Sequence, residues 1–187
     1  MTLEEVRKQI DEIDQKLKEL LMKRLDCSYR VVEAKNAKNE TAIFRADREE
    51  EILGRLGADV PEERKAGYLS VVRKIMETSR MYQYGLLYDW KEGHVVDQLL
   101  PEGLEEGGKN VKVLLTRENR PNAMSSILSM IGDYGFNMKQ MTLMNEGEKE
   151  VTFELIILGD LSTEKMKKLM FQLSGECKEF KILEEGM

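Results

Sequence analysis

Apolar residues recur three and four apart from residue 2 to about residue 38. Val6, Ile10, Ile13, Leu17, Leu20, Cys27 and Val31 fall on one helical stripe that Arg24 and Lys35 also occupy. Thr2 and Glu5 make a capping box at its start, and neither Gly nor Pro interrupts it. The pattern predicts a single helix roughly 55 Å long at 1.5 Å rise per residue. Such a helix outruns a three-helix domain, so its stripe is expected to pack against a second copy of the chain as well as its own helices, in an intertwined dimer. A second helix is predicted from Asp47, read with Glu50 as an acidic cap, to Gly57. A third is predicted from about Pro61 to Tyr88, with a seam of Leu69, Val72, Met76, Ser79, Gln83 and Leu86.

The period then changes. Residues 91–110 (KEGHVVDQLLPEGLEEGGKN) have linker composition, after which VKVLLT (111–116) alternates as a strand. Pro121 is expected to open a helix carrying Met124, Ile127, Leu128 and Ile131, closed by Gly135. Strands follow at 136–145 and 150–158, with a turn at 145–149 between them. Ser162 is expected to cap a second helix (Met166, Leu169, Met170, Leu173), and FKIL (180–183) closes the chain. The fold class is therefore α+β: an all-α three-helix domain at 1–90, a linker at 91–110, and a ferredoxin-like βαββαβ domain at 111–187.

Charge and composition narrow the function. The net charge is −6, with 17 Lys+Arg against 18 Asp+Glu in residues 1–90 and 12 against 17 beyond, so neither half favours a phosphate backbone and no nucleic-acid partner is expected. Uncharged runs are too short for a membrane span, and MTLEEVRKQ is not a secretion signal, so a soluble cytoplasmic protein is expected. Two distant cysteines and one histidine, His94, give no metal set. The methionines of the second half are read as adaptable packing.

The polar breaks in the apolar pattern carry the chemistry. Arg24 and Lys35 lie eleven residues apart, three turns, on the stripe; Ser79 and Gln83 interrupt the seam of the third helix; Arg48 and Glu49 open the second. Uncompensated burial of such cations costs several kcal/mol each. Either these groups form rim salt bridges with snorkelling stems, or the bundle interior is a pocket for a small polyanion. No nucleophile–base pair, metal set or phosphate loop accompanies them. A reaction needing only shape and electrostatics, a pericyclic rearrangement or an elimination, suits such a pocket.

These residues resemble the all-helical chorismate mutases, which pair an early Arg in the first helix with L-L-x-x-R, a Lys eleven on, an R-E pair opening the second helix, and S-x-x-x-Q late in the third. Arg7, Arg24 in ELLMKR, Lys35, Arg48-Glu49, and Ser79 with Gln83 in ETSRMYQ match that pattern, while Arg45 stands where the family usually has Asp. The resemblance implies conversion of chorismate to prephenate in aromatic amino-acid biosynthesis, without a cofactor. It assigns catalysis to Lys35, Gln83, Arg24 and Glu49 and substrate binding to those four with Arg7, Arg48 and Ser79. It also implies a homodimer in which the partner's Arg7 completes each site. Residues 111–187 are similar to ACT domains, chiefly those of prephenate dehydratases, through ENRPNAM (118–124) and YGFNMKQM (134–141). That similarity points to Asn119, Asn122, Ala123 and Met124 as an amino-acid effector loop. Asn122 replaces its glycine, and TLMN (142–145) replaces E-S-R-P, so control by phenylalanine or tyrosine is expected to be weak or absent and residues 1–90 to turn over much like the full chain. Two other functions fit the same residues, isochorismate pyruvate-lyase and a non-catalytic amino-acid-binding or partner-regulating protein.

Overall fold

A computed structural model describes residues 1–103 and 107–186, and the side chains up to residue 183. Leu104, Glu105 and Glu106 of the predicted linker lie outside the described residues. The chain forms two compact units, Met1–Thr41 and Ala42–Met187.

The first unit is one helix, α1 (Leu3–Asn36). The capping box forms as expected: Thr2 Oγ1 accepts from the Glu5 N–H at 3.2 Å, and the Glu5 carboxylate accepts from the Thr2 N–H at 2.7 Å. Thirty-four residues without a break span roughly 51 Å. Ile10, Ile13, Leu17 and Leu20, the middle of the predicted stripe, are all at least half exposed. A row of aliphatic side chains left in water along one helix face is unusual for a finished surface.

The second unit holds α2 (Ala46–Gly57), α3 (Glu62–Trp90), β1 (Asn110–Glu118), α4 (Ala123–Asp133), β2 (Asn137–Glu146), β3 (Glu150–Leu158), α5 (Glu164–Glu176) and β4 (Glu179–Gly186). The sheet is antiparallel in the order β2-β3-β1-β4, the ferredoxin-like arrangement that the alternation of periods predicts. Val113 of β1 lies opposite Leu155 of β3 and Ile182 of β4. Val111, Val113 and Leu115 alternate inward with Phe153, Leu155 and Ile157, and meet Ile127 and Ile131 of α4 and Met166, Leu169, Met170 and Leu173 of α5.

Local starts differ from expectation in three places. Asp47 does not cap α2: Arg45 occupies the cap position and grips the Asp47 carboxylate at 2.7 and 3.0 Å, which holds its pKa down to about 2. The helix starts one residue before Asp47, at Ala46, which places Asp47 inside the first turn. Pro121 sits in a turn, and α4 begins at Ala123 after Asn122. Thr163, not Ser162, caps α5, its Oγ1 accepting from the Met166 N–H at 3.4 Å, because the Ser162 hydroxyl is drawn to Asp160 at 2.6 Å.

The buried face of α3 is also wider than its seam. Val72, Met76 and Ser79 are buried as expected, Gln83 and Leu86 are half-buried, and Arg80, Tyr84, Leu87 and Tyr88 are buried in addition. The extra face packs on α5, where Tyr84 meets Phe171 edge-to-face at 5.3 Å between ring centroids. Residues 91–103 are not an open spacer: Val96, in a single 3-10 turn, is buried beside α5, and Leu100 packs on the sheet core. These contacts bear on the expectation that residues 1–90 act alone. Cut after Trp90, α3 would bare Tyr84, Leu87 and Tyr88, at about 1.5–3 kcal/mol per large apolar side chain. The 1–90 fragment should aggregate or melt without a cooperative transition, as circular dichroism on heating would read out. A sharp melt close to that of the full chain would show that the α3–α5 contact contributes little.

Candidate active site

Three of the predicted site residues lie on α1. Arg7 is exposed near its start, whereas Arg24 and Lys35 are half-buried three turns apart on one face. Since α1 is unbroken, Arg7 and Arg24 are separated by seventeen residues of straight helix, roughly 25 Å.

The other four lie in the second unit, where α2 packs on α3. Arg48, in the first turn of α2, points outward and pairs with Glu51 at 2.6 Å across an exposed i,i+3 step. Ser79 is buried on α3, and its Oγ donates back to the Ile75 carbonyl at 2.9 Å. Gln83 follows one turn later, so the two polar breaks in the α3 seam stand on one face.

Glu49 turns from α2 toward α3, where its carboxylate accepts from Arg80 Nη1. Arg80 is only 6% exposed, and its Nε donates at 2.8 Å to Glu176 on α5, a carboxylate with no exposed side-chain surface. The Glu176 Oε1 also accepts from Gln172 Nε2 at 2.8 Å, and Gln172 Oε1 accepts from the Tyr134 hydroxyl at 3.0 Å. Burial, with Glu176 nearby, pushes the Tyr134 pKa well above its ordinary value, so the hydroxyl stays a donor. The Phe44 ring stacks on the Arg80 guanidinium at 4.9 Å. A guanidinium between two carboxylates fixes where Glu49 points.

The sequence pattern did not reveal this chain of contacts. Arg80 follows Ser79 directly in ETSRMYQ, but a 3,4 seam counts one packing partner per helix, and Glu176 lies 96 residues away. The one available signal was an Arg flanked by two seam positions.

The expected effector residues divide by role. Asn119 closes the β1–α4 loop, its N–H donating to the Lys149 carbonyl at 2.9 Å and its Nδ2 to the Gly147 carbonyl at 2.8 Å. Asn122 adopts φ 68°, the left-handed region open to Gly and, among other residues, best tolerated by Asn. The loop thereby keeps the backbone that a glycine would give it. Ala123 is buried and Met124 exposed.

No group of three or more His, Cys, Asp or Glu side chains among the described residues could hold a metal ion. No helix among them is long and apolar enough to cross a membrane.

Residues 6–84 match the family model of chorismate mutase type II. None of the curated proteins matches the sequence. Among solved structures, the chain is similar to GqqA, described as a novel type of quorum-quenching acylase, at 24% identity over 45% of this chain and 32% of that one, with a TM-score of 0.40. It is also similar to prephenate dehydratase from Arthrobacter aurescens in complex with L-Phe, at 18% identity over 44% of this chain and 29% of that one, with a TM-score of 0.41. The matches thus span about a third of the length of either structure.

Proposed function

We propose that this chain, whose residues 6–84 match the family model of chorismate mutase type II, is an isomerase that rearranges chorismate to prephenate in sites shared between two copies. The family match over the helical segment carries the reading, since every residue assigned to the site, from Arg7 to Gln83, falls within the matched span.

In the rearrangement one C–O bond breaks as one C–C bond forms within a single molecule, so no proton or leaving group is transferred. The protein has two tasks. Arg24 and the partner's Arg7 clamp the two carboxylates and hold the flexible dianion in its reactive chair, where orientation lowers the barrier. Lys35 and Gln83 donate to the ether oxygen. Negative charge grows there as the C–O bond lengthens, so these contacts strengthen toward the transition state. Glu49, fixed by Arg80, accepts from the ring hydroxyl, with Arg48 and Ser79 assisting placement. The apolar stripe of α1, exposed along the middle of a 34-residue helix, supports a second copy as the surface that covers it. An ACT-like domain in the same chain supports control by an amino acid, and the place of the reaction supports a cytoplasmic enzyme of aromatic amino-acid synthesis.

Supplying chorismate and isochorismate separately tests the assignment. The purified chain should convert chorismate to prephenate and release no salicylate from isochorismate. Salicylate and pyruvate as the main products would make it a lyase. Binding without turnover of either would make it a non-catalytic protein.

Gln83 offers a second check with a defined sign. In Gln83→Glu only the protonated carboxyl can donate to the ether oxygen. Activity of that variant should therefore rise as pH falls through the pKa of the new carboxyl, while the parent stays flat over the same range. Parallel pH profiles would place Gln83 away from the breaking bond.

A further inference from the structure

Glu176 closes α5 at a position where a carboxylate is costly. Its side chain is fully buried, and while Oε1 accepts from Arg80 Nε and Gln172 Nε2, Oε2 has no hydrogen-bond partner among the described residues. Apolar side chains of similar volume commonly replace a buried ion pair without loss of stability, so the packing of α5 on α3 does not account for an acid here. The approach of the two helices is nevertheless built around it. A Cβ on Gly175 would lie 2.5 Å from the hydroxyl oxygen of Tyr84, a side chain only 1% exposed, so a larger residue would force the helices apart. Their closeness brings the next residue, Glu176, within 2.8 Å of Arg80 Nε.

Two buried arginines flank the Phe44 ring, Arg80 with its guanidinium carbon at 4.9 Å and Arg117 of β1 at 6.0 Å. Arg117 donates to Ser126 Oγ at 2.6 Å and to the Ala123 carbonyl at 3.3 Å, whereas Arg80 takes the Glu176 carboxylate. Arg80 divides its donors, Nε to Glu176 on α5 and Nη1 to Glu49 on α2. An arginine anchored at Glu49 alone would keep much of its rotamer freedom, and the Glu49 carboxylate would move with it. Clamped at Nε by an acid that Gln172 and Tyr134 hold in turn, the guanidinium presents Nη1 at one place. Glu49, a quarter exposed, thereby has one oxygen fixed and the other open to a donor.

We propose that Glu176, in the sheet domain, is a positioning residue for the rearrangement: through Arg80 it sets where the Glu49 carboxylate meets the ring hydroxyl of chorismate. This role presupposes the mutase reading, and Glu176 lies outside the matched span 6–84.

The test compares kcat/KM of the full chain on chorismate and on the analogue in which hydrogen replaces the ring hydroxyl. Glu176→Gln removes the charge that holds Arg80 and should lower kcat/KM on chorismate about tenfold to a hundredfold, the usual cost of slackening a charged contact that orients a substrate. On the analogue the same substitution should cost less than about threefold, because Glu49 has no hydroxyl to meet. With Glu49→Ala in place, Glu176→Gln should add equally little on chorismate. Lys168→Met breaks another α3–α5 contact, the 2.7 Å pair with Asp89, and should leave both substrates within a few-fold of the parent. Glu176→Asp keeps the buried charge and draws it back by one methylene. It should lose activity severalfold on chorismate and not on the analogue, and it carries the comparison if Glu176→Gln does not fold. Full activity in Glu176→Gln, losses of equal size on the two substrates, or a hydroxyl-dependent loss in Lys168→Met as large as in Glu176→Gln would overturn the proposal while the parent still turns chorismate over. A parent inert toward chorismate would remove the mutase reading and this role with it.

Discussion

Lys35→Ala should lower turnover of chorismate by about 100- to 1,000-fold, the usual cost of removing one preorganised donor from a developing oxyanion. The loss should fall on kcat more than on KM, since the ether oxygen carries its negative charge only as the C–O bond breaks. Lys38→Ala supplies the control. It removes the same charge three residues on, in the turn after α1 ends at Asn36, and should leave kcat within a few-fold of the parent. Equal small losses in both variants would reduce Lys35 to a surface cation. A matched rise in KM with unchanged kcat would instead make it a ground-state contact.

Arg7→Ala and Arg24→Ala homodimers should each be almost inactive, and mixing them should restore activity. On the unbroken α1 the two side chains point about 100° apart and stand roughly 25 Å apart along the axis, so they cannot meet around one substrate from the same copy. If the partner's Arg7 completes each site, a mixed dimer contains one site with both arginines and one with neither. Random exchange makes half the dimers mixed, each with one working site of two, so roughly a quarter of the parent activity should return. No recovery despite verified exchange would remove the shared site. High activity of Arg7→Ala alone would also remove it, and would leave the exposed stripe of α1 without its proposed catalytic purpose.

The elements that the sequence pattern predicted well are those written in short-range chemistry. The Thr2–Glu5 capping box and the unbroken 3,4 period give α1 to within two residues, and the change to period two with a Gly or Asn at each turn gives the ferredoxin-like strand order. Where the reading failed, a competing partner intervened. Asp47 looked like a cap until Arg45 claimed its carboxylate, and Ser162 looked like a cap until Asp160 took its hydroxyl. The same limit applied to the site. Ser79 and Gln83 are visible as breaks in a seam, but the Glu49–Arg80–Glu176 contacts join three helices, one of them from the sheet domain, and no window of sequence holds all three. Arg117 was hidden for another reason: the predicted strand stopped at Thr116, whereas β1 runs on to Glu118 and carries Arg117 inward in the phase of Val111, Val113 and Leu115.

Those joined helices also bear on how the sheet domain could act on chemistry. Arg80 links Glu49 directly to α5, so a shift in the sheet domain would reach the α2 carboxylate through two hydrogen bonds and not through a flexible tether.

The central claim is that this chain is a chorismate mutase, and the disappearance of chorismate in the presence of the purified full chain tests it most directly. The account predicts loss proportional to protein concentration, prephenate as the sole product, no pyruvate, and no requirement for an added metal or cofactor. Chorismate decaying no faster than in buffer alone, with the protein folded and dimeric, would contradict it.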